Sequence, residues 1–496
     1  MRRNQRSSTL IQWGSLISLL LAMILITVQV IMFSRSRITY PTSMQIAGIP
    51  MGGLTREQAA SRLLEVYSQP IEIHYQDAAI QVEPNVLGFQ LQLESMLATA
   101  DFVRIGGNFW QEFWGFMWNN ERTLTPVPLD AEYSEALVRD FLETEIGPRY
   151  DQPAVAAQPQ VGSVAFQPGK AGTSIAMDRA VIQVEKALFS PDQRVVNLPL
   201  EQQEPGRPAF GNLEILLKQI LDVAEFDGIA GLYLLDLQTS QEIHFIYSNK
   251  TDYPTNPDLA FTASSIIKIP IMVTAYSNIS EPYPEEALNL ISGMIEESGN
   301  DPADWLMEQY IDQATGPLIV TDTMQKLGLE NTFLAGFFRV GSPLLYLYTT
   351  PADGRTDLDT GPDPYNHTTV SDMGMLLADL YQCAEFDGGA LRAVFPQDIT
   401  QAECQEMIDT LTRNNTPFLI EAGAPDDTRI AHKHGWVSDV FTGAITTIGD
   451  AGIVYTPSGN YILVIYFSHP TQLVWDPMSR LMGDLSEVIY NYYNIQ

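Results

Sequence analysis

Residues 10–33, LIQWGSLISLLLAMILITVQVIMF, run for 24 positions without a charge. As a helix this is long enough to cross the hydrocarbon of a bilayer. A chain carrying it is therefore expected to be divided by a membrane before any other feature of its fold is decided. We place the anchor at residues 10–34, behind a tail of residues 1–9. A cleaved leader has a shorter apolar core ending in small residues, whereas Met32, Phe33, Ser34 and Arg35 close this run, so the segment is expected to be retained. Arg2, Arg3 and Arg6 with the amino terminus outweigh Arg35 and Arg37. By the positive-inside rule the tail is cytoplasmic and everything after the anchor, including any catalytic domain, is outside the cytoplasm.

At 496 residues the chain is long for one domain and has the apolar content for two or three cores. Its net charge of −33 repels phosphates, which argues against a nucleic-acid partner; an acidic, solvated surface accounts for it. The two cysteines, Cys383 and Cys404, both fall in the part assigned to the exterior. An oxidising compartment allows a disulfide between them, with two buried free thiols as the alternative.

Residues 43–203 read as short strands and helices without a nucleophile or metal cluster. They contain an echo: GGLTREQAASRLLEV from Gly52 precedes the strand-like Ile71 to Tyr75, and AGTSIAMDRAVIQVEKAL from Ala171 precedes Val195 to Leu200. Thr55 and Ser174 stand where helix caps would, so the region is expected to be a duplicated α+β module. Its phrases MQIAGIPMGGLTREQA, IQVEPNVLGF and FQPGKAGTSI resemble the peptidoglycan-binding domains found between membrane anchors and cell-wall enzymes; a plain spacer is the alternative. Glu204, Pro205, Gly206, Arg207 and Pro208 interrupt regular structure, so residues 204–210 are a linker and a second domain occupies 211–496.

That domain opens with the helical pattern LEILLKQILDVAEF and two strands, GIAGLYLLDL and QEIHFIYS. Next comes Phe261 to Tyr276, FTASSIIKIPIMVTAY. Read as a helix, this stretch puts Ser265 and Lys268 on one face, three residues apart. Ile266, Ile267, Ile269, Ile271, Met272 and Val273 surround them with no polar stripe, so the helix belongs in a core. Burial lowers the pKa of a lysine, which would let Lys268 act as the base that activates Ser265. Of the seven lysines in the chain, this is the one preceded by serine at that spacing. Pro270 removes a backbone donor just beyond and is expected to bend the helix.

Two further elements follow in order. Ser298, Gly299 and Asn300 lie between helical patterns in MIEESGNDPADWL, where a loop can aim side chains into a site. The same tripeptide recurs at Ser458, Gly459 and Asn460, but between strand-like runs, where it reads as a hairpin turn; position, not the tripeptide, carries the meaning. Lys433, His434 and Gly435 stand in the strand-like AHKHGWVSD, 168 residues after Ser265. His432 and His434 would share one face of that strand, but nothing nearby completes a metal set, so no metal and no cofactor is expected.

Ser-x-x-Lys, Ser-x-Asn and a lysine strand in this order, behind helix, strand and strand, resemble the serine β-lactamases of class A and the penicillin-binding transpeptidases. The resemblance implies an α/β (α+β) fold with terminal strands and helices packed beside a helical lobe, preceded here by the smaller α+β module and the transmembrane helix. It implies acyl transfer: Ser265 attacks, Lys268 takes its proton, Ser298 relays and Asn300 positions the substrate amide. Lys433, with His434 and Gly435, would bind the carboxylate of a β-lactam or peptidoglycan stem peptide. The backbone N–H groups of Ser265 and Trp436 would form the oxyanion hole.

Three departures qualify this. His434 replaces the usual hydroxyl residue, so carboxylate recognition is expected to depend on pH. Ser298 follows Ser265 by 33 residues, which implies a trimmed lobe. The segment from Tyr346 to Asn366, where class A enzymes carry a deacylating glutamate, has as acids only Asp353, Asp357, Asp359 and Asp363. The leading expectation is a membrane-anchored, extracytoplasmic hydrolase similar to class A β-lactamases. A D-Ala-D-Ala carboxypeptidase-like cell-wall enzyme is the first alternative, and a non-catalytic wall-binding or penicillin-sensing protein the second.

Overall fold

The structure is a computed structural model that describes residues 5–118, 120, 123–160, 163–253, 258–414, 417–439 and 441–495. Arg2 and Arg3, on which the expected orientation rests, lie outside the described residues. The chain forms two compact units, one of Met1–Ala154 with Ala171–Glu204 and one of Val155–Lys170 with Pro205–Gln496.

In the first unit, helix α1 (Gln5–Ser36) contains a stretch, Trp13–Ser36, long and apolar enough to cross a membrane and almost wholly unburied; a signal sequence meets the same criterion. Beyond it, helix α2 (Arg56–Tyr67) leads into strand β1 (Ile71–Tyr75), which pairs antiparallel with β2 (Ala78–Val82). Two helices follow, α3 (Leu93–Ile105) and α4 (Phe109–Met117). After the excursion to residue 170, β3 (Gly172–Ile175), α5 (Met177–Leu188), β4 (Val195–Asn197) and β5 (Leu200–Gln203) complete the unit. The echoed halves meet: β4 lies parallel to β1 with Val196 opposite Ile73, and Leu63, Tyr67, Val184 and Leu188 bury their side chains in one shared core.

The two expected caps differ. Thr55 caps α2 in a reciprocal capping box with Gln58. Ser174 caps nothing. It sits inside β3, paired with Glu201, and α5 starts after Ala176 without a side-chain cap.

The second unit is built on a six-stranded antiparallel sheet. Helix α6 (Phe210–Val223) precedes β6 (Ile229–Asp236), β7 (Glu242–Ser248) and the short β8 (Thr251–Asp252). Near the other terminus come β12 (Arg429–Ser438), β13 (Ile445–Tyr455), β14 (Tyr461–Leu473) and helix α13 (Trp475–Tyr493). The strand order is β8-β7-β6-β14-β13-β12, which leaves β12 at an edge. The sheet is covered on both faces, and so its strands read as nearly unbroken apolar runs. Leu463, Ile465 and Phe467 of β14 face α6 and α13, whereas Ile462, Val464 and Tyr466 join the core of the helical lobe.

That lobe holds β9 (Phe261–Thr262), helices α7 (Lys268–Asn278), α8 (Glu285–Ile295), α9 (Asn300–Tyr310) and α10 (Gly316–Lys326), strands β10 (Phe333–Leu334) and β11 (Asn366–Thr368), and helices α11 (Val370–Phe386) and α12 (Gln401–Thr412). Cys383 of α11 and Cys404 of α12 are joined by a disulfide with Cα atoms 5.9 Å apart.

Residues 155–170, expected inside the 43–203 module, fall with the second unit. Their hairpin pairs Pro159 with Phe166; the Phe166 ring packs on Tyr492, and Asn491 donates to the Val164 carbonyl. Gly169 has no room for a side chain, since a Cβ there would fall on the Val155 carbonyl and the Pro205 ring.

Candidate active site

The stretch expected as one helix is three pieces. Phe261 and Thr262 pair with β11, Ser264–Ile267 form a 3-10 turn, and α7 begins only at Lys268. Pro270 therefore falls in the first turn of α7, where a backbone N–H has no partner within the helix, and the expected bend has no cause. Residues 268–276 of α7 are all buried, which makes it the core helix its composition implies.

The turn is held from outside. Ser264 adopts a left-handed φ of 50°, and its backbone N–H donates to Asn366 Oδ1 at 2.7 Å. On its other side β12 runs so close at Gly435 that a Cβ would strike Ser264 Oγ and come within 2.7 Å of the Ser265 nitrogen. Glycine is required there by the approach of the two backbones.

Lys268 Nζ lies 3.0 Å from Ser265 Oγ, 2.6 Å from the carbonyl oxygen of Ser298 and 2.8 Å from Asn300 Oδ1. Ser298 contributes its backbone, not the hydroxyl expected to relay, and its left-handed φ of 56° belongs to the turn that presents that carbonyl. Asn300, expected at a substrate amide, is engaged by the lysine. As an ammonium, Lys268 satisfies all three acceptors. As a free amine it has two hydrogens, and Ser298 O and Asn300 Oδ1 can only accept them, so the lone pair is left facing the Ser265 hydroxyl. Burial, and then the nearby Lys433 charge, lower the Lys268 pKa to about 7. The Phe338 ring centroid stands 5.3 Å from Nζ, adding to the apolar cover.

Lys433 is fully buried on the face of β12 shared with Gly435, which turns it toward the Ser265 segment; Nζ donates to the His434 carbonyl at 3.2 Å. Burial, opposed by Asp450, lowers its pKa to about 8. The opposite face of β12 carries a ladder of rings: His432 and His434 with centroids 6.1 Å apart, and His434 stacked on Trp436 at 5.8 Å. Burial, with Lys433 beside it, lowers His434 to about 4, so its ring is neutral across the physiological range and the expected pH dependence does not arise from it.

Several residues were not singled out by sequence reasoning. Asp450 is buried and receives His432 Nδ1 at 3.0 Å, while Asn414 donates to His434 Nδ1 at 3.2 Å and to the His432 carbonyl at 3.1 Å. Burial opposes the charge on His432, but Asp450 outweighs it and raises the histidine to about 10; His432 in turn holds Asp450 below the carboxylate range. A single acid inside the apolar run ITTIGDAGIVY was the one available sign of this ion pair.

The four aspartates of the segment expected to carry the deacylating glutamate are engaged locally. Asp353 caps Thr350, Asp357 pairs with Arg355, Asp359 receives the Gly361 N–H and Asp363 the Tyr365 N–H. Among the described residues no cluster of three or more His, Cys, Asp or Glu could hold a metal.

The model of the Beta-lactamase enzyme family matches residues 285–493. The match takes in Ser298, Asn300 and Lys433, starts beyond Ser265 and Lys268, and supports a serine β-lactamase-like family for the second unit. The fold of that unit is accordingly the mixed α/β arrangement of the β-lactamases. Solved structures similar to the chain include PBP-A, 20% identical over 59% of this chain and 99% of that one, with a TM-score of 0.41. Another is a PBP-A mutant described as an acyl-enzyme complex with penicillin G, 19% identical over 59% of this chain and 100% of that one, with a TM-score of 0.41. An ancestral class A β-lactamase is 19% identical over 56% and 98%, with a TM-score of 0.39. Among curated proteins nothing matches.

Proposed function

We propose that the second unit is a serine hydrolase working by acyl transfer on a β-lactam or a related amide, held outside the cytoplasm by α1 as a retained single-pass anchor. The observation that carries this is the Lys268 amine, lowered to about 7 and 3.0 Å from Ser265 Oγ, with its other hydrogens committed to fixed acceptors. Ser265 Oγ attacks the carbonyl carbon while Lys268 accepts its proton. The Ser265 and Trp436 N–H groups receive the oxyanion, and Lys433, beside His434 and Gly435, holds the substrate carboxylate. The amide C–N bond then breaks, the amine leaves with the proton returned by Lys268, and water later cleaves the ester.

A second reading, a D-Ala-D-Ala carboxypeptidase-like wall enzyme with a long-lived acyl-enzyme, is favoured by one observation: Asp353, Asp357, Asp359 and Asp363 bond to neighbours in their own segment, while Lys268 bonds to Ser265, Ser298 and Asn300. In either reading the first unit is proposed to bind peptidoglycan.

Intact-mass spectrometry after penicillin exposure tests both. A mass increase of one penicillin, absent in Ser265→Ala and Lys268→Ala, is expected. Loss of the adduct with turnover of a chromogenic cephalosporin marks the β-lactamase, and a persistent adduct marks the wall enzyme. No adduct on the wild-type chain refutes both and leaves a non-catalytic wall-binding or sensing protein.

A further inference from the structure

Helix α4 carries apolar side chains on two faces, and its own unit buries only one of them. On that face Phe113, 1% exposed, packs with Phe109 and Phe116 around Phe33 of α1, with ring centroids at 5.7, 5.3 and 5.5 Å. The other face carries Trp110 and Trp114, followed by Trp118 just past the helix, exposed by 58, 50 and 78%. At spacings of four they form one stripe, which Met117 widens, and Phe102 and Ile105 at the end of α3 are exposed as well. Three of the chain's seven tryptophans thus stand in solvent within nine residues. Apolar surface gathered in this way marks a partner.

The partner is identified by where α4 is fastened. Phe33 follows Trp13 by 20 residues, and at the helical rise this is about 30 Å, the thickness of a bilayer's hydrocarbon core. With Trp13 at one boundary, Phe33 lies at the other, and α4 is packed on Phe33. Arg35 and Arg37 come directly after; the Arg37 guanidinium lies 5.5 Å from the Phe109 ring centroid and 3.7 Å from Glu112, which ties α4 to the chain as it leaves the span. Tryptophan is the residue that concentrates at this depth, its ring among the upper acyl chains and its N–H among the head groups. With a net charge of −33, cationic attraction to lipid does not supply the contact; ring burial does.

We propose that α4 is an interfacial helix whose Trp110, Trp114 and Trp118 sit in the outer head-group layer of the bilayer crossed by α1, seating the first unit on the membrane. This rests on α1 being a retained span, and the experiment separates the two claims. The full chain is reconstituted in phosphatidylcholine vesicles whose acyl chains are brominated near the head group. Alkaline carbonate washing reads the span, and quenching of tryptophan emission reads α4. Expected are retention of both wild type and the W110Q/W114Q/W118Q variant, with the variant losing most of the bromine quenching. Equal fractional quenching in the two retained proteins overturns the proposal alone and leaves the stripe to a protein partner. Extraction of the wild type by carbonate overturns the anchor and the proposal together. The disulfide leaves no native thiol free, so Trp114→Cys bearing an environment-sensitive dye gives a second readout. Blue-shifted emission quenched by the brominated lipid supports the seating, and water-like emission overturns it.

Discussion

Lys268 answers to two opposite demands. In the proposed mechanism it must lose a proton to serve Ser265, yet it is gripped by two carbonyl-type oxygens that favour its charge. Burial decides the contest by lowering its pKa to about 7, while Lys433, proposed to bind the carboxylate as a cation, stays charged up to about 8. The sign follows for each: Lys268 gains activity as pH rises through its value, and Lys433 loses substrate affinity as pH rises through its own. The second-order rate of penicillin acylation is therefore expected to be bell-shaped, with limbs near pH 7 and 8 and a tenfold fall per unit on the acid side. A rate profile that keeps rising to the ordinary lysine range would show that Lys268 is not the base.

Among the elements, β12 matters most to the proposed function, because it is an edge strand that brings Gly435 against Ser264 and Ser265 and carries Lys433 on the same face. The His432–Asp450 pair braces it from the reverse face. His432, raised above its unfolded value of about 6.5, stabilises fully below that value and loses the contribution as pH climbs through about 10. Asp450, lowered, stabilises above the ordinary carboxylate value and loses it as pH falls through its folded value. Asp450→Asn is expected to cost about 3–5 kcal/mol by urea unfolding near pH 6, with the gap to wild type closing in acid. An unchanged midpoint at pH 6 would remove the pair from this role. The main elements could be read in advance because their information is local. The opening helix and the two strands after it follow from periodicity and spacing, and Ser458 to Asn460 is the turn between β13 and β14. The supports were hidden for the opposite reason. Asn366 reaches Ser264 across 102 residues, and Asn414 reaches His434 across 20 with a loop between, contacts that no spacing rule encodes. The start of α7 at Lys268 was missed because an apolar run does not distinguish a 3-10 turn from the helix it precedes.

For the whole molecule, the acidic surface and the cationic site act at different ranges. Under the proposed function a penicillin carboxylate would be repelled at a distance by the net charge of −33 and attracted only once it is near Lys433. Raising ionic strength from about 0.01 to 0.15 M shortens the screening length from about 30 to 8 Å, so the acylation rate constant should rise, by roughly twofold or more. A fall with salt, read by the same mass assay, would mean that the site's own field governs encounter. The hairpin of residues 155–170 has a consequence for how this protein is made. Its partners Asn491 and Tyr492 are 327 and 326 residues downstream of Val164 and Phe166, at the very end of the unit it completes. On a ribosome the hairpin emerges long before its docking surface, so the second unit cannot close until Asn491 and Tyr492 have been made. A truncation beginning at Pro205 would leave Phe166's place on Tyr492 empty. Any attempt to isolate the second unit has to carry this strip of chain from upstream with it.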